Sequence, residues 1–482
     1  MTPADETAAI DAALAAVLPS GALYAVGGRV RDEVRAALDG GARPAKDLDY
    51  VVLGVPADDL IERLRAVGPA DVVGASFAVV KVAVGGRTVD VALPRRERST
   101  GVGHRDFAVE SGPDIPLADD LARRDFRMNM MARRLPDGEL VDPYGGAADV
   151  RARRIDLLRP EAFEEDPLRM LRACQFAARF GFTVSAATKT AMRAAAPLVA
   201  SVSPERVRDE LAKFLESADR PSIGLELMRA GGLLPYVLPE VAEGIGVEQN
   251  EYHAYDVYGH TLATVDAAPP GDFTLRLAAL LHDIGKPRTK DGPHFYRHEL
   301  VGADMAAAIG ERLRLPNDVA ENVVRLVRNH MYVADPDQEA RTVRRFIRRV
   351  GADLLERQFA LRAADIRGSG LPKRGEANAR YERRVRRILA ERPALSVRDL
   401  AIGGIEVIAA LVEAGRLPRG SHGGPEVGVL LGRLLEQVTD DPASNERDRL
   451  LASLRLLIAA PADPSDVSRE TTAAECESDA AS

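Results

Sequence analysis

Two short segments near the start of the chain constrain its fold more than any other feature. The first spans Tyr24–Asp32 and the second spans Lys46–Val52. The first predicts a strand over 22–26, a glycine turn and the start of a helix. Gly27 and Gly28 would let backbone N–H groups at the helix start approach an anion such as a triphosphate. This order of elements indicates an α/β region.

Three carboxylates accompany the glycine turn. Asp47 and Asp49 are two residues apart on a predicted strand, so their side chains should project to the same face. Asp90 lies between Val89 and Val91, which would face the opposite way. Paired carboxylates suit Mg²⁺ when phosphates and water fill its other positions. Three of them on neighbouring strands indicate a two-metal site for phosphoryl transfer.

Each of these features has an ordinary structural explanation when it stands alone. Two adjacent glycines form a turn more often than a nucleotide site, and an Asp-x-Asp pair is usually solvated. Asp90 alone would be an edge-strand carboxylate. Their order and spacing within one short α/β region favour the catalytic interpretation.

Two further segments carry a resemblance to a known family. Asp120–Asn129 is rich in arginine, and Glu165–Ala173 contains an Asp-Pro pair followed by spaced arginines. Together with the first two segments, they resemble the bacterial tRNA nucleotidyltransferase and poly(A) polymerase family, class II of the nucleotidyltransferase superfamily. The resemblance runs to about Leu457 and is most specific over 24–173.

The resemblance and the apolar periodicity predict an α+β chain in which a mixed α/β head precedes helical domains. The loop Arg95–Pro116 should be flexible, and Pro372–Arg387 should be a basic linker. A hairpin over 77–93 should carry Asp90. The expected domains are a nucleotidyltransferase head at 1–150, an all-α neck at 151–245, an HD-type helical domain at 246–370, a helical body and tail at 371–459 and a disordered acidic tail at 460–482.

The resemblance implies that the head and neck bind the incoming nucleotide. Asp166 and Arg169 would hydrogen-bond to the base edge of CTP or ATP, so protein side chains would replace a nucleic-acid template. Asp166 before Pro167 is also a good helix N-cap, which alone explains both residues. The predicted nucleotide-binding residues are Gly27, Gly28, Arg31, Arg123, Arg124, Asn129, Asp166, Arg169 and Arg172.

Two positions depart from the family pattern. Many members have another arginine three residues after Arg172, where this chain has Gln175. The stretch Arg127–Met130 replaces the usual Thr-Ile-Asn-Ala, although Asn129 is kept. The first departure puts a base or triphosphate contact from that position in doubt.

A histidine pattern in the second half of the chain matches the HD phosphohydrolases. Histidine and aspartate together suit divalent transition metals such as Mn²⁺, Ni²⁺, Co²⁺ or Fe²⁺, which activate water for phosphoester cleavage. His298 and His330 match the extra histidines of variants that hold two metals. The predicted metal ligands are His260, His282, Asp283, His298, His330 and Asp365.

The alternative for this block is a scaffold domain in which the histidines only pack between helices. For a lone histidine that alternative is the better one, but four histidines in family order favour metal binding. The other four histidines lack this context. They are predicted to be surface or packing residues: His104, His253, His294 and His422.

Composition restricts the partners and the compartment. The 482-residue chain has a net charge of −8, so RNA contact requires local basic surfaces. Arg341–Arg349 and Arg380–Arg387 are candidates, although solvated helix faces explain them equally well. Gly424–Gly428 and Asn445–Arg447 resemble the family's tail, which would grip the tRNA acceptor arm by its shape. Two cysteines, no basic start and no long uncharged run predict a cytoplasmic protein without a membrane segment.

The resemblance implies template-independent addition of C, C and A to tRNA 3′ ends from CTP and ATP, with release of pyrophosphate. Asp47 and Asp49 would hold Mg²⁺, and Asp90 would help to deprotonate the 3′-hydroxyl. Related enzymes that add only A, only CC or poly(A) stay open as alternatives. A rival from another class is an HD phosphohydrolase whose head only binds nucleotide, but the intact Asp-x-Asp pair argues against it. The oligomeric state is left open.

Overall fold

The computed structural model of the chain describes residues 2–41, 47–73, 79–99, 107–372 and 375–460. Lys46, His104 and the acidic tail from residue 461 lie outside these ranges. The strands are β1 Leu23–Val26, β2 Asp49–Val52, β3 Ala70–Val73, β4 Val79–Val84, β5 Arg87–Ala92, β6 Arg95–Ser99, β7 Phe107–Ser111, β8 Ala132–Arg134, β9 Leu140–Val141, β10 Arg154–Ile155, β11 Thr183–Val184, β12 Lys290–Asp291 and β13 His294–Phe295.

Helices dominate the chain after residue 160, as predicted. In chain order they are α1 Pro3–Val17, α2 Gly28–Asp39, α3 Ala57–Arg65, α4 Leu117–Ala122, α5 Gly146–Arg151, α6 Ala162–Glu165, α7 Leu168–Phe180, α8 Ala186–Ala195, α9 Pro204–Ser217, α10 Ser222–Ala230, α11 Leu234–Val237, α12 Pro239–Ala242, α13 Val257–Ala267, α14 Phe273–Leu281, α15 His298–Arg312, α16 Asn317–Arg328, α17 Ala340–Val350, α18 Leu355–Gly368, α19 Glu376–Ala390, α20 Gly404–Glu413, α21 Pro425–Asp440 and α22 Arg447–Ala459.

A seven-stranded mixed sheet forms the core of the head, with strand order β3-β4-β5-β2-β1-β8-β9. Among these neighbours, β2 and β5 run parallel and place Asp49 opposite Asp90 in register. The predicted hairpin is present as β4 and β5, where Val84 pairs with Arg87 around a two-glycine turn. Register partners on adjacent strands project to the same face, so the sheet brings two of the predicted carboxylates together.

Two segments predicted as irregular contain regular structure. Within Arg95–Pro116, β6 and β7 pair antiparallel, so the prediction of a flexible loop is wrong for these strands. The sequence of β6 is polar and β7 begins with three consecutive apolar residues, so neither shows the apolar alternation that marks a half-buried strand. Most of the predicted linker Pro372–Arg387 belongs to α19. That helix buries Tyr381, Val385 and Ile388, an i, i+4, i+7 stripe hidden among charged residues.

The described chain forms two compact units. The first contains the described residues up to Arg328 together with Ala364–Leu371, and the second contains Asn329–Ala363 and the described residues from Pro372 onwards. In the first unit α7 packs on α9 and α10, while α14 packs on α13 and α16. In the second, α20, α21 and α22 enclose a leucine-rich core. Among the described helices none combines the length and hydrophobicity that a bilayer crossing requires.

A buried arginine of one helix binds the ends of two others within the first unit. Arg276 on α14 is 1% exposed. Its Nη1 donates to the carbonyl oxygens of Leu215 at 2.7 Å and Ala218 at 2.5 Å, at the end of α9. Its Nε donates to the carbonyl oxygen of Ala268 at 3.1 Å, at the end of α13. One planar guanidinium therefore satisfies carbonyl groups that helix ends leave without intrahelical partners.

Candidate active-site cleft and histidine cluster

A cleft of about 990 Å³ opens beside the sheet of the head and is walled by α7 and α9. All nine residues predicted to bind nucleotide line it, and so do Asp47 and Asp49. Asp90 is not part of this lining. The walls carry nine arginines and one lysine against eight carboxylates, so the cleft suits a polyanion that brings its own cation.

The glycine turn before α2 forms the tightest part of the cleft. Gly27 has φ +75° and ψ −138°, a backbone conformation that residues with a Cβ rarely adopt. A Cβ at Gly27 would lie 2.9 Å from Arg124 Nη1 and 3.7 Å from Asp49 Oδ2. The turn, a guanidinium and a carboxylate therefore meet where no side chain would fit. The N–H groups at the start of α2 and the buried Arg124 Nε, which donates to no described group, are available to an anion.

The three predicted catalytic carboxylates lie on or just before the two central strands β5 and β2 of the sheet. β2 begins at Asp49, so Asp47 lies in the bend before the strand, and its predicted place on the strand is wrong. The Asp90 carboxylate lies 3.5 Å from Lys81 Nζ. Burial, and then the charges of Asp90 and Asp47, raise the pKa of Asp49, and Arg124 opposes this only in part. Such concentrated negative charge fits a hard divalent cation.

Carboxylates at the base of the cleft position the arginine-rich segment. Arg31 Nη1 donates to Asn129 Oδ1 at 2.8 Å. Asn129 Nδ2 donates to Asp125 Oδ1 at 2.8 Å, and the other oxygen of Asp125 lies 2.9 Å from Arg172 Nη2. Although burial favours a raised pKa for Asp125, Arg172 and Asn129 outweigh it and lower that pKa. Sequence reasoning missed Asp125, and its position directly after two arginines was the available signal.

Asp166 and Arg169 stand at the start of α7, where the resemblance places nucleotide selection. The helix begins at Leu168 after the N-cap residue Pro167, and the N–H of Leu168 donates to Asp166 Oδ1 at 3.2 Å. Asp166 thus satisfies an N–H of the first turn, as a capping side chain does, from the position before the N-cap. Its other oxygen lies 3.0 Å from Arg206 Nη2. Arg169 Nη2 donates to the carbonyl oxygen of Arg123 at 2.6 Å. Both side chains are held by the protein and still line the cleft.

The unusual Gln175 is linked to another arginine of the cleft. Gln175 is buried, and with its amide turned to satisfy its neighbours its oxygen accepts from Arg179 Nη1 at 2.7 Å. Arg179 lies one turn further along α7 and lines the cleft. Sequence reasoning missed Arg179, although four-residue spacing on one helix face was a usable signal. A guanidinium therefore reaches the cleft from this part of α7.

A second cluster of ligand-type side chains is buried between α13, α14 and α18. His260 Nε2 lies 3.2 Å from His282 Nε2, 3.3 Å from Asp283 Oδ2 and 3.3 Å from Asp365 Oδ1. Ligands about 2.1 Å from one ion are roughly 3.0 to 3.4 Å apart, so these atoms fit a metal after small shifts. Burial acts to lower the pKa of His260, but the two carboxylates outweigh it and raise that pKa to about 9. The carboxylates thus hold a proton that metal binding would release.

The predicted extra histidines have different settings. His298 begins α15, and its Nε2 lies 3.4 Å from Asp283 Oδ1 while its Nδ1 bonds to the carbonyl oxygen of Phe295 at 2.7 Å. Fixing one ring nitrogen in this way leaves the other for a metal. His330 follows α16 and is buried at 2% exposure. Its place in the ligand set stays a prediction.

His253, predicted to be a surface or packing residue, packs edge-to-face on His260 with 4.8 Å between ring centroids. Ligand atoms of His253, His260 and Asp365 lie within 4.8 Å of one another, so His253 joins the cluster. His294 is exposed and stacks on Tyr296 with 5.3 Å between ring centroids, and His422 is exposed, as predicted.

Three parts of the chain match known protein families. Residues 23–156 match the "Poly A polymerase head domain", 181–245 match the "Probable RNA and SrmB- binding site of polymerase A", and 252–366 match the "HD domain". The first covers the strands beside the cleft. The third covers all six predicted metal ligands and His253.

Individual relatives match most of the chain. It is 36% identical over 399 residues to the multifunctional CCA protein of Xanthomonas euvesicatoria, which covers 80% of this chain and 94% of that one. It is 40% identical over 324 residues to the same protein of Cupriavidus pinatubonensis, covering 64% and 74%. The solved CCA-adding enzyme of Bacillus stearothermophilus in complex with CTP aligns with a TM-score of 0.65 and 25% identity, covering 98% of this chain and 100% of that one.

Proposed function

Since the chain belongs to the family of multifunctional CCA proteins, we propose that it adds C, C and A to tRNA 3′ ends from CTP and ATP and releases pyrophosphate. One observation carries the proposal. The cleft gathers the nine predicted nucleotide-binding residues next to Asp47 and Asp49. This arrangement offers a polyphosphate both a cationic wall and a carboxylate pair for its divalent ion.

The proposed chemistry at the cleft is an in-line displacement. Asp47 and Asp49 would hold Mg²⁺, which supplies charge neutralisation on the triphosphate when bound. Arg31, Arg124 and the N–H groups of the glycine turn bind the phosphates. Asp90 accepts the proton of the tRNA 3′-hydroxyl. That oxygen forms the bond to the α-phosphorus as the bond to the pyrophosphate oxygen breaks.

The direct test uses tRNAs that end before the first C, after C and after CC, each with CTP, ATP or both. We expect the purified protein to complete CCA on all three and then stop. Addition of A alone, of CC alone or of a long A tail would assign the chain to one of the related activities. No addition to any of the three would refute the proposal.

Nucleotide choice is expected to depend on Asp166. In Asp166→Asn the side-chain oxygen still caps α7, but an amide donor replaces an acceptor facing the cleft. We expect discrimination against UTP and GTP to fall roughly 10- to 100-fold, because an unpaired polar group costs about 1–3 kcal/mol. Competition assays with mixed nucleotides measure this. Glu164→Gln on the exposed side of α6 is the matched control. Equal misincorporation by the two variants would mean that Asp166 only caps the helix and does not select the nucleotide.

The glycine turn gives a second prediction. In Gly27→Ala the new Cβ would meet Arg124 Nη1 at 2.9 Å, so we expect kcat/KM for CTP and ATP to fall at least about tenfold. Gly40→Ala is the control for a positive φ at the other end of the same helix, because nothing lies within 4 Å of its Cβ position. Gly40 has ψ +23° and lies in the left-handed helical region, where alanine costs about 1 kcal/mol, whereas Gly27 has ψ −138° and is more strained by a side chain. Similar kinetics for the two variants would mean that neither the close approach nor the backbone conformation of Gly27 matters for catalysis.

We propose a second activity for the histidine cluster, the metal-dependent hydrolysis of a phosphoester. The three ligand-type atoms within 3.3 Å of His260 Nε2 favour it. His260, His282, Asp283 and Asp365 would hold one divalent transition metal such as Mn²⁺, Ni²⁺, Co²⁺ or Fe²⁺, with His298 and His330 supporting a second. Candidate substrates are a 2′,3′-cyclic phosphate, a 2′-phosphate or a nucleotide. The cyclic phosphate would link hydrolysis to repair of damaged tRNA ends, an argument by family analogy.

We propose that RNA contacts come from part of the basic segments only. Within Arg341–Arg349, Arg344 is buried and donates to the carbonyl oxygens of Thr439 and Asp440 at 2.6 and 2.7 Å. It is therefore a packing residue, while Arg341 and Arg349 are exposed and can contact RNA.

The domain boundaries and the cytoplasmic location inferred from the sequence stay predictions.

A further inference from the structure

The loop that carries His253 is fastened to the helix that carries Asp365. The N–H of Ala254 donates to the carbonyl oxygen of Ser369 at 2.9 Å, and the N–H of Ser369 donates to the carbonyl oxygen of Asp365 at 3.0 Å. The neighbouring Gly370, at φ +72°, leaves no room for a Cβ, which would lie 2.6 Å from Tyr255 Cε2. These contacts hold the loop and the last turn of α18 together. The approach of His253 to Asp365 is therefore built into the backbone.

The His253 ring is oriented as a metal-ligating imidazole is. The ring Nδ1 lies 3.1 Å from Asn250 Oδ1, and the backbone N–H of His253 donates to the backbone carbonyl oxygen of Asn250 at 3.1 Å. A carbonyl-type oxygen on Nδ1 selects the tautomer in which Nε2 carries the lone pair. The ring centroid is 4.8 Å from that of His260, and the planes meet at 78°. Edge-to-face placement directs ring atoms of one residue towards the other.

We propose that His253 is a further ligand of the metal centre, acting beside His260 and Asp365. Ligand atoms of the three residues lie within 4.8 Å of one another. The inference rests on one part of the proposed function, namely that the histidine cluster binds a metal ion. With His253 the donor set contains three imidazoles and two carboxylates. Such a set favours Co²⁺, Ni²⁺ or Zn²⁺ over Mg²⁺, which prefers oxygen ligands.

Co²⁺ titration of the full-length protein tests the proposal, because its visible spectrum reports the ligands directly. In His253→Cys, coordination should add a thiolate-to-cobalt charge-transfer band. In His253→Ala, the visible bands should shift and the affinity for Co²⁺ should fall at least about tenfold. His294→Cys and His294→Ala are the matched controls, since His294 is exposed and outside the cluster. They keep the same native cysteines and should match the unaltered protein.

The outcomes separate this inference from the function on which it rests. If the unaltered protein takes up no Co²⁺, the metal centre itself is refuted and the role of His253 falls with it. If the unaltered protein binds Co²⁺, but His253→Cys adds no band and His253→Ala leaves the visible bands unchanged, His253 is not a ligand and the centre stands without it. A band in His253→Cys or shifted bands in His253→Ala establish coordination.

Discussion

Asp49→Asn is expected to lower the rate of CCA addition by roughly a thousandfold or more, and Asp47→Asn is expected to act similarly. Each change removes one charge from the pair that faces the glycine turn while keeping the size of the side chain. Loss of metal-assisted charge neutralisation costs several kcal/mol of transition-state stabilisation, and each 1.36 kcal/mol is tenfold in rate. Since the pKa of Asp49 is raised by burial and neighbouring carboxylates, removing its charge should not harm the fold.

Single-turnover incorporation of CTP into a tRNA that lacks CCA measures this effect. Thermal unfolding and circular dichroism should be unchanged in both variants. Asp58→Asn on α3 is the control, because Asp58 is an exposed carboxylate of the head outside the cleft. Near-normal addition by both Asp47→Asn and Asp49→Asn would show that the reaction does not depend on the carboxylate pair.

The double variant His282→Asn, Asp283→Asn is expected to lose bound metal and hydrolysis while CCA addition stays within about twofold of normal. Both side chains approach His260 Nε2 to 3.2–3.3 Å, so the variant removes half of the proposed first ligand set. Asparagine is preferable to alanine because Lys286 Nζ bonds to Asp283 Oδ2 at 2.6 Å. Breaking a buried ion pair outright costs about 3–5 kcal/mol.

Elemental analysis of the purified protein and hydrolysis assays with Mn²⁺, Ni²⁺, Co²⁺ and Fe²⁺ measure the effect. A 2′,3′-cyclic nucleotide, a 2′-nucleotide and a simple phosphomonoester serve as substrates. His422→Asn, at an exposed histidine far along the chain, controls for loss of a histidine alone. If the unaltered protein contains no metal and hydrolyses none of these with any ion, the cluster is a structural scaffold.

Local patterns predicted the head well because its strands and turns are set by neighbouring residues. The strand before Gly27, the helix after it and the hairpin that carries Asp90 all follow from period-two alternation and glycine placement. The valines beside Asp90 are buried while Asp90 itself is partly exposed, as the alternation predicts. The family resemblance added the nucleotide-binding residues, which the fold then brings into one cleft.

Features that depend on contacts between distant parts of the chain could not be predicted from the sequence. The strands β6 and β7 lack apolar alternation, so only their pairing with each other reveals them. His253 lacked a motif, and it becomes a cluster residue because Ala254 bonds to Ser369 more than a hundred positions away. Arg179 reaches the cleft through a contact with Gln175, a residue that seemed only to be a departure from the family pattern. Side-chain partners of this kind follow from tertiary packing rather than from spacing.

Arg276 belongs to neither the cleft nor the histidine cluster, yet it contacts helices that carry residues of both. It holds the end of α9, whose Lys213 and Ser217 line the cleft, and it lies on α14, which His282 follows directly. The end of α13, the helix of His260, shares the same guanidinium. The tolerance of this position to mutation is therefore set by the cleft and the histidine cluster at once. A chain that lost one of the two sites would still be obliged to keep Arg276 for the other.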